Sequence, residues 1–185
     1  MHRFLIALLM ASSCGGDPHG AATYVGDVDG TDMKVGIVTE GGKVAMFFCG
    51  GPTSYTQATK WFRGTAEPMT IAFSANGWVA NASASGDMAT GTVDRGNGNP
   101  LHFTARKVPE DGVAGLYQLK DEHGTAGVVV LDPMHAQGAL VPVDPAIAVE
   151  QIEAILPVSR TSDAIQVNVV ESVPRAITVT RVHAQ

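Results

Sequence analysis

The chain has 185 residues, 45% of them hydrophobic and 16% charged, with a formal net charge of −6. The apolar content excludes a disordered chain, and the length suits one ordinary domain with an appendage. The 12 Lys and Arg form no run or stripe, so the sequence offers no surface for neutralising nucleic-acid phosphates.

At the N-terminus, His2 and Arg3 precede "FLIALLMA", a run of 8 apolar residues. A membrane-spanning helix needs ~20 such residues, so the run has the length of a signal-peptide core instead. Ser12, Ser13 and Cys14 follow, small residues that a signal peptidase accepts, and then the breaker-rich "GGDPHG". The stretch "LLMASSC" resembles the lipobox of bacterial lipoproteins, with Ala11 where Leu is commonest. That resemblance implies that residues 1–13 are a signal peptide and that Cys14 becomes the lipidated first residue of the mature chain. Two acyl chains on the thiol and an acyl group on the new N-terminus would anchor the protein to a bacterial membrane, facing the periplasm or the cell surface. Residues 14–23 then form a flexible tether. The competing role for Cys14 is a disulfide with Cys49, the only other cysteine. Lipidation is preferred because Cys14 adjoins the apolar run, where cleavage is expected. Cys49 then becomes an unpaired, small, buried hydrophobe at the end of "KVAMFFC".

From Tyr24 to Val143 the chain reads as short strands separated by turns, about ten residues apart. "TYVGDV" passes through "DGTD" into "MKVGIVTE", and "EGGK" turns into "KVAMFF". The pattern lapses at "GPTSYTQATKWF", a loop or single helical turn in which Trp61 and Phe62 serve as core anchors. It resumes in "PMTIAFSA", "NGWVANAS", "ATGTVD", "LHFTAR", "AGLYQLK" and "AGVVVLD". Met33, Val35 and Ile37 share one face of their strand, and Leu101, Phe103 and Ala105 share another. One buried and one wet face, with consecutive hairpins, predict an all-β, antiparallel up-and-down meander closing into a barrel or sandwich over residues 24–143.

The composition then changes, since aromatic residues and lysine are absent after position 120. "DPAIAVEQIEAILP" predicts a helix: Asp144 as N-cap, Pro145 at the first helical position, Pro157 as stop, and Ala148, Ile152, Ile155 and Leu156 on one face. "AIQVNVV" and "AITVTRV" predict a terminal hairpin, making residues 144–185 a helix-plus-hairpin extension packed on the β domain.

Chemistry-bearing motifs are sparse. Asp27, Asp29 and Asp32 in "GDVDGTD" have calcium-loop spacing, but the loop's glycine is missing and Val38 stands at its closing glutamate position, so a hairpin turn at Asp29-Gly30 is the better reading. His19, His102, His123, His135 and His183 show no zinc-ligand spacing. No nucleophile elbow, phosphate loop or dinucleotide fingerprint is present, so no catalytic residue and no cofactor is expected. "FFCGG", "KWFRG", "HFTA" and "AGLYQL" are similar to segments of secreted bacterial proteins of unknown function, which implies no activity. The reading is a lipid-anchored envelope module that binds without catalysis, its partners the membrane and an envelope protein. The alternatives are a lipocalin-like carrier of a small apolar ligand or, less favoured, an envelope hydrolase. A barrel filled by Met46, Phe48 and Phe73 would count against the carrier.

Overall fold

A computed structural model describes residues 20–66, 70–170 and 175–184, so Cys14, His19 and the rest of the expected signal peptide lie outside the described residues. The sequence alternation is realised as antiparallel strands. The first eight are β1 (Ala22–Val28), β2 (Lys34–Glu40), β3 (Lys43–Cys49), β4 (Lys60–Thr65), β5 (Thr70–Ala75), β6 (Trp78–Ser85), β7 (Met88–Asp94) and β8 (Leu101–Val108). They form one sheet in the order β4-β3-β2-β1-β8-β7-β6-β5. Only the β1–β8 pairing joins strands that are not consecutive, so the sheet is an up-and-down meander curled into a barrel. Its two ends, β4 and β5, carry no ladder between their described residues. They meet through side chains, the Phe62 and Phe73 rings stacking at 5.6 Å.

The remaining strands are β9 (Gly115–Lys120), β10 (Gly124–Asp132), β11 (His135–Pro142), β12 (Glu150–Ala154), β13 (Arg160–Thr161), β14 (Ala164–Val170) and β15 (Arg175–Arg181). They form a second sheet, which closes because β12 pairs with β14 as well as with β11. The expected terminal hairpin is present as β14–β15. By sheet membership, the chain changes from one barrel to the other between β8 and β9.

Each barrel has its own core. The first is aromatic: Phe48 lies 5.5 Å from Phe103, 6.1 Å from Phe62 and 6.5 Å from Trp78. Met33, Met46 and Ile71 complete it. In the second barrel Val128, Val130, Ile152, Ile165, Val167, Val169 and Val179 surround Tyr117. The Tyr117 hydroxyl donates to Val113 O at 2.7 Å, so its burial leaves no orphan donor.

A third apolar cluster lies between the barrels, with Val25, Val38, Ala45, Phe47 and Cys49 facing Leu116, Val129 and Ala139. β3 is therefore buried on both faces, and this is why "KVAMFFC" is a continuous apolar run rather than an alternation. Two glycines permit the close approach. A Cβ on Gly127 would sit 2.6 Å from the Phe47 ring and 2.8 Å from Trp61, and one on Gly36 would sit 3.0 Å from Leu116. The linker at 109–114 is held by arginines. Arg181, 6% exposed, donates to the carbonyls of Pro109, Glu110, Gly112 and Ala114 at 2.7–3.1 Å, and Arg160 donates to Gly112 O at 2.8 Å. Carbonyl dipoles offset the desolvation of the buried cation.

The predicted C-terminal helix does not form; no described residue is helical, and the segment supplies a turn and β12. Asp144 does cap: its Oδ1 accepts Ala146 N–H at 2.9 Å, and its carbonyl accepts Ile147 N–H at 3.1 Å. The turn stops there. β12 instead fills the gap between β11 and β14, burying Ile152 to 2% exposure and leaving Ile155 and Leu156 exposed. Barrel closure satisfies a ladder on both sides of the segment, which an isolated short helix with a costly nucleus cannot match.

Candidate functional site

The residues singled out in the sequence are dispersed by the fold. Asp27 pairs with Lys34 across the first hairpin. The Asp29 amide donates to His102 O at 2.8 Å, within the turn expected at Asp29-Gly30. Asp32 turns to the loop after β3, accepting from Ser54 Oγ at 2.6 Å and from Thr53 Oγ1 at 3.1 Å. The Ser54 bond, chiefly, holds this carboxyl below its ordinary pKa. Among the described residues no three His, Cys, Asp or Glu side chains gather as a metal site. His135 Nδ1 lies 2.8 Å from Asp132 on an exposed turn, His183 pairs with Glu40 at 3.8 Å, and His102 and His123 are exposed.

Cys49 is free and fully buried in the cluster between the barrels. Burial pushes the thiol up to about 12, outweighing the polar Thr59 and Gln137 side chains nearby, which favour the thiolate. A thiol so held is neutral at physiological pH and is no nucleophile. The Gln137 amide also ties the barrels together, donating to Cys49 O at 2.6 Å and Asp32 O at 3.0 Å. The loop at 51–58 folds as a helical turn, with Tyr55 N–H bonded to Gly51 O at 2.9 Å and Ala58 N–H to Ser54 O at 2.9 Å. It delivers Phe62 to the first core and Trp61 to the cluster between the barrels, as anchors. Met46 and Phe48 are fully buried inside the first barrel, and Phe73 packs against them.

Among the described residues, several clefts open on the surface. One, of about 220 Å³ beside the linker, has mixed charge from Glu40, Lys107, Glu110 and Arg181. Another, of about 500 Å³ near Ile155, Pro157 and Ile165, has no charged lining residue. A third, of about 520 Å³, is a wedge where β4 and β9 diverge, lined by Lys60, Trp61, Arg63, Gln118 and Lys120, with Thr59, Thr125 and Val141. Among the described residues, its charged lining side chains are all cations, in a protein whose net charge is −6.

Strand geometry builds this wedge. Trp61 and Arg63 are two residues apart on β4 and share its outer face, as Gln118 and Lys120 do on β9. The Trp61 ring packs against Phe47 at 4.5 Å and against the Arg63 guanidinium at 4.8 Å. Arg63 also donates to Gln118 Oε1 across the gap between barrels. Stack and hydrogen bond together fix the plane of the guanidinium. Partial burial lowers the Arg63 pKa, yet arginine stays charged at any physiological pH. No described carboxylate forms an ion pair with Lys60, Arg63 or Lys120.

The sequence shows these cations only as scattered members of a thin basic population. Positions 63 and 118, in different barrels, are 55 residues apart. The one local signal is "KWFR", where Trp61 and Arg63 are placed to stack on one strand face. No protein-family model, curated protein or solved structure matches the chain.

Proposed function

We propose that this is an exported, lipid-anchored binding module of a bacterial envelope, which takes an anionic ligand in the wedge between its two barrels. The observation that carries the binding reading is that Arg63 and Lys120 face one groove, also lined by Lys60, whose described lining residues include no acid. Cations brought together without counter-charges repel one another, and a bound anion relieves that repulsion. The groove has the size of an ordinary small-molecule site and sits at the junction of two packed units, where such sites concentrate. The anchor rests on Cys14 and its lipobox resemblance. The body would then be tethered through residues 14–23, of which Ala22 and Thr23 already belong to β1. A filled first barrel offers an apolar cargo no room, and the neutral, buried Cys49 offers a hydrolase no nucleophile.

The binding reading is tested by thermal unfolding in low-salt buffer with acetate, sulfate or a phosphate ester. Wild type should gain stability with at least one anion, and Lys60→Gln/Arg63→Gln/Lys120→Gln should lose that gain. No anion-dependent shift in wild type would sink it. For the anchor, a palmitate analogue should label wild type and not Cys14→Ala; equal labelling contradicts it.

A further inference from the structure

Resting on the reading of this groove as an anion site, we infer that its ligand carries a phosphate monoester, a doubly charged phosphoryl group, rather than a carboxylate. Charge is the first argument. Arg63 and Lys120 face the groove and none of its described lining residues is an acid, so one carboxylate leaves a cation uncompensated. A phosphate monoester carries about −1.5 to −2 at neutral pH and presents three strong acceptor oxygens.

The second argument is the donor pattern. Arg63 is held by Trp61 on one side and Gln118 on the other, a fixed planar fork suited to two oxygens of one phosphoryl group. Lys120 adds a point charge from the opposite barrel. Thr59 and Thr125 add hydroxyls.

The third argument concerns Trp61. Phe47 and Arg63 both pack on its indole, which leaves less ring face for stacking on a sugar or a base. The indole Nε1–H is buried with no hydrogen-bond partner among the described residues.

The test is calorimetric titration of the whole protein, at low ionic strength, with glycerol 3-phosphate, sulfate and acetate. The ester's second ionisation falls near pH 6. Affinity for the ester should rise about tenfold from pH 5 to pH 7, with sulfate flat over that range and acetate about tenfold weaker than the ester at pH 7. Arg63→Gln should weaken ester binding at least about tenfold with its unfolding midpoint in anion-free buffer unchanged. Equal, pH-independent binding of ester and acetate overturns the phosphoryl assignment and leaves the anion groove standing; no binding of any of the three overturns both. Vesicles of phosphatidic acid in phosphatidylcholine separate the sources: capture by them, and not by phosphatidylcholine alone, makes the phosphoryl group a lipid headgroup. Binding of the soluble ester without vesicle capture makes it a free metabolite.

Discussion

The two barrels solve the same problem with different materials. The first winds eight strands around Phe48, Phe62, Phe103 and two methionines, and it closes with a stack of Phe62 on Phe73. The second is built largely from Val, Ile and Ala around Tyr117, and its strand ladder closes through β12 and β14. Width explains the contrast. More strands enclose a wider interior that large rings must fill, while a narrower barrel leaves room for little beyond β-branched side chains. Stability of the first barrel should therefore rest on a few large residues, and that of the second on many small ones.

The largest expected effect breaks the aromatic core. Phe48→Ala should cost about 4 kcal/mol in denaturant unfolding, whereas Ile165→Val in the second core should cost about 1 kcal/mol. Equal losses would remove the distinction between the cores. Next is the arginine latch on the linker. Arg181→Met leaves the carbonyls of Pro109, Glu110, Gly112 and Ala114 without their cation and should cost about 3 kcal/mol. The two closures are separated by Phe73→Ala, expected to cost about 2 kcal/mol. Amide exchange should then speed up in β4 and β5 while the β12–β14 amides keep their protection, and uniform acceleration would contradict the seam.

The smallest effect is electrostatic. Ser54 and Thr53 hold the Asp32 carboxyl below the ordinary aspartate pKa of about 3.9, so their contribution is complete above that pH. It is lost as pH falls from about 4 through the depressed folded value. Asp32→Asn should cost about 1 kcal/mol at pH 7 and less at pH 2, read from urea unfolding at both.

The strands were legible because a period of two is written directly in segments such as "LHFTA", where Phe103 and Ala105 are buried and His102 and Thr104 are exposed. The second barrel was harder to read. Its strand β12 carries a helix-like pattern in "AIAVEQIEAIL", and only the open edges of β11 and β14 decide that Ile152 belongs to a strand. Asp144 and Pro145 did start a turn, so the local signal was correct and its continuation was not. The apolar run in β3 held a further message, burial on both faces, which implies a second packed layer. The groove could not be read from spacing, because Arg63 and Gln118 meet only after Gly127 and Gly36 let the barrels approach.

The chain has 2 tryptophans, Trp61 at the wedge and Trp78 against the first core, so two indole N–H resonances report both regions at once. Titration of isotope-labelled protein with glycerol 3-phosphate, followed by heteronuclear NMR, tests the central claim that the wedge between the barrels is the binding site. The Trp61 indole signal should move progressively to saturation while Trp78 stays in place, and Arg63→Gln should abolish the movement. A stationary Trp61, or equal movement of both signals, would contradict it.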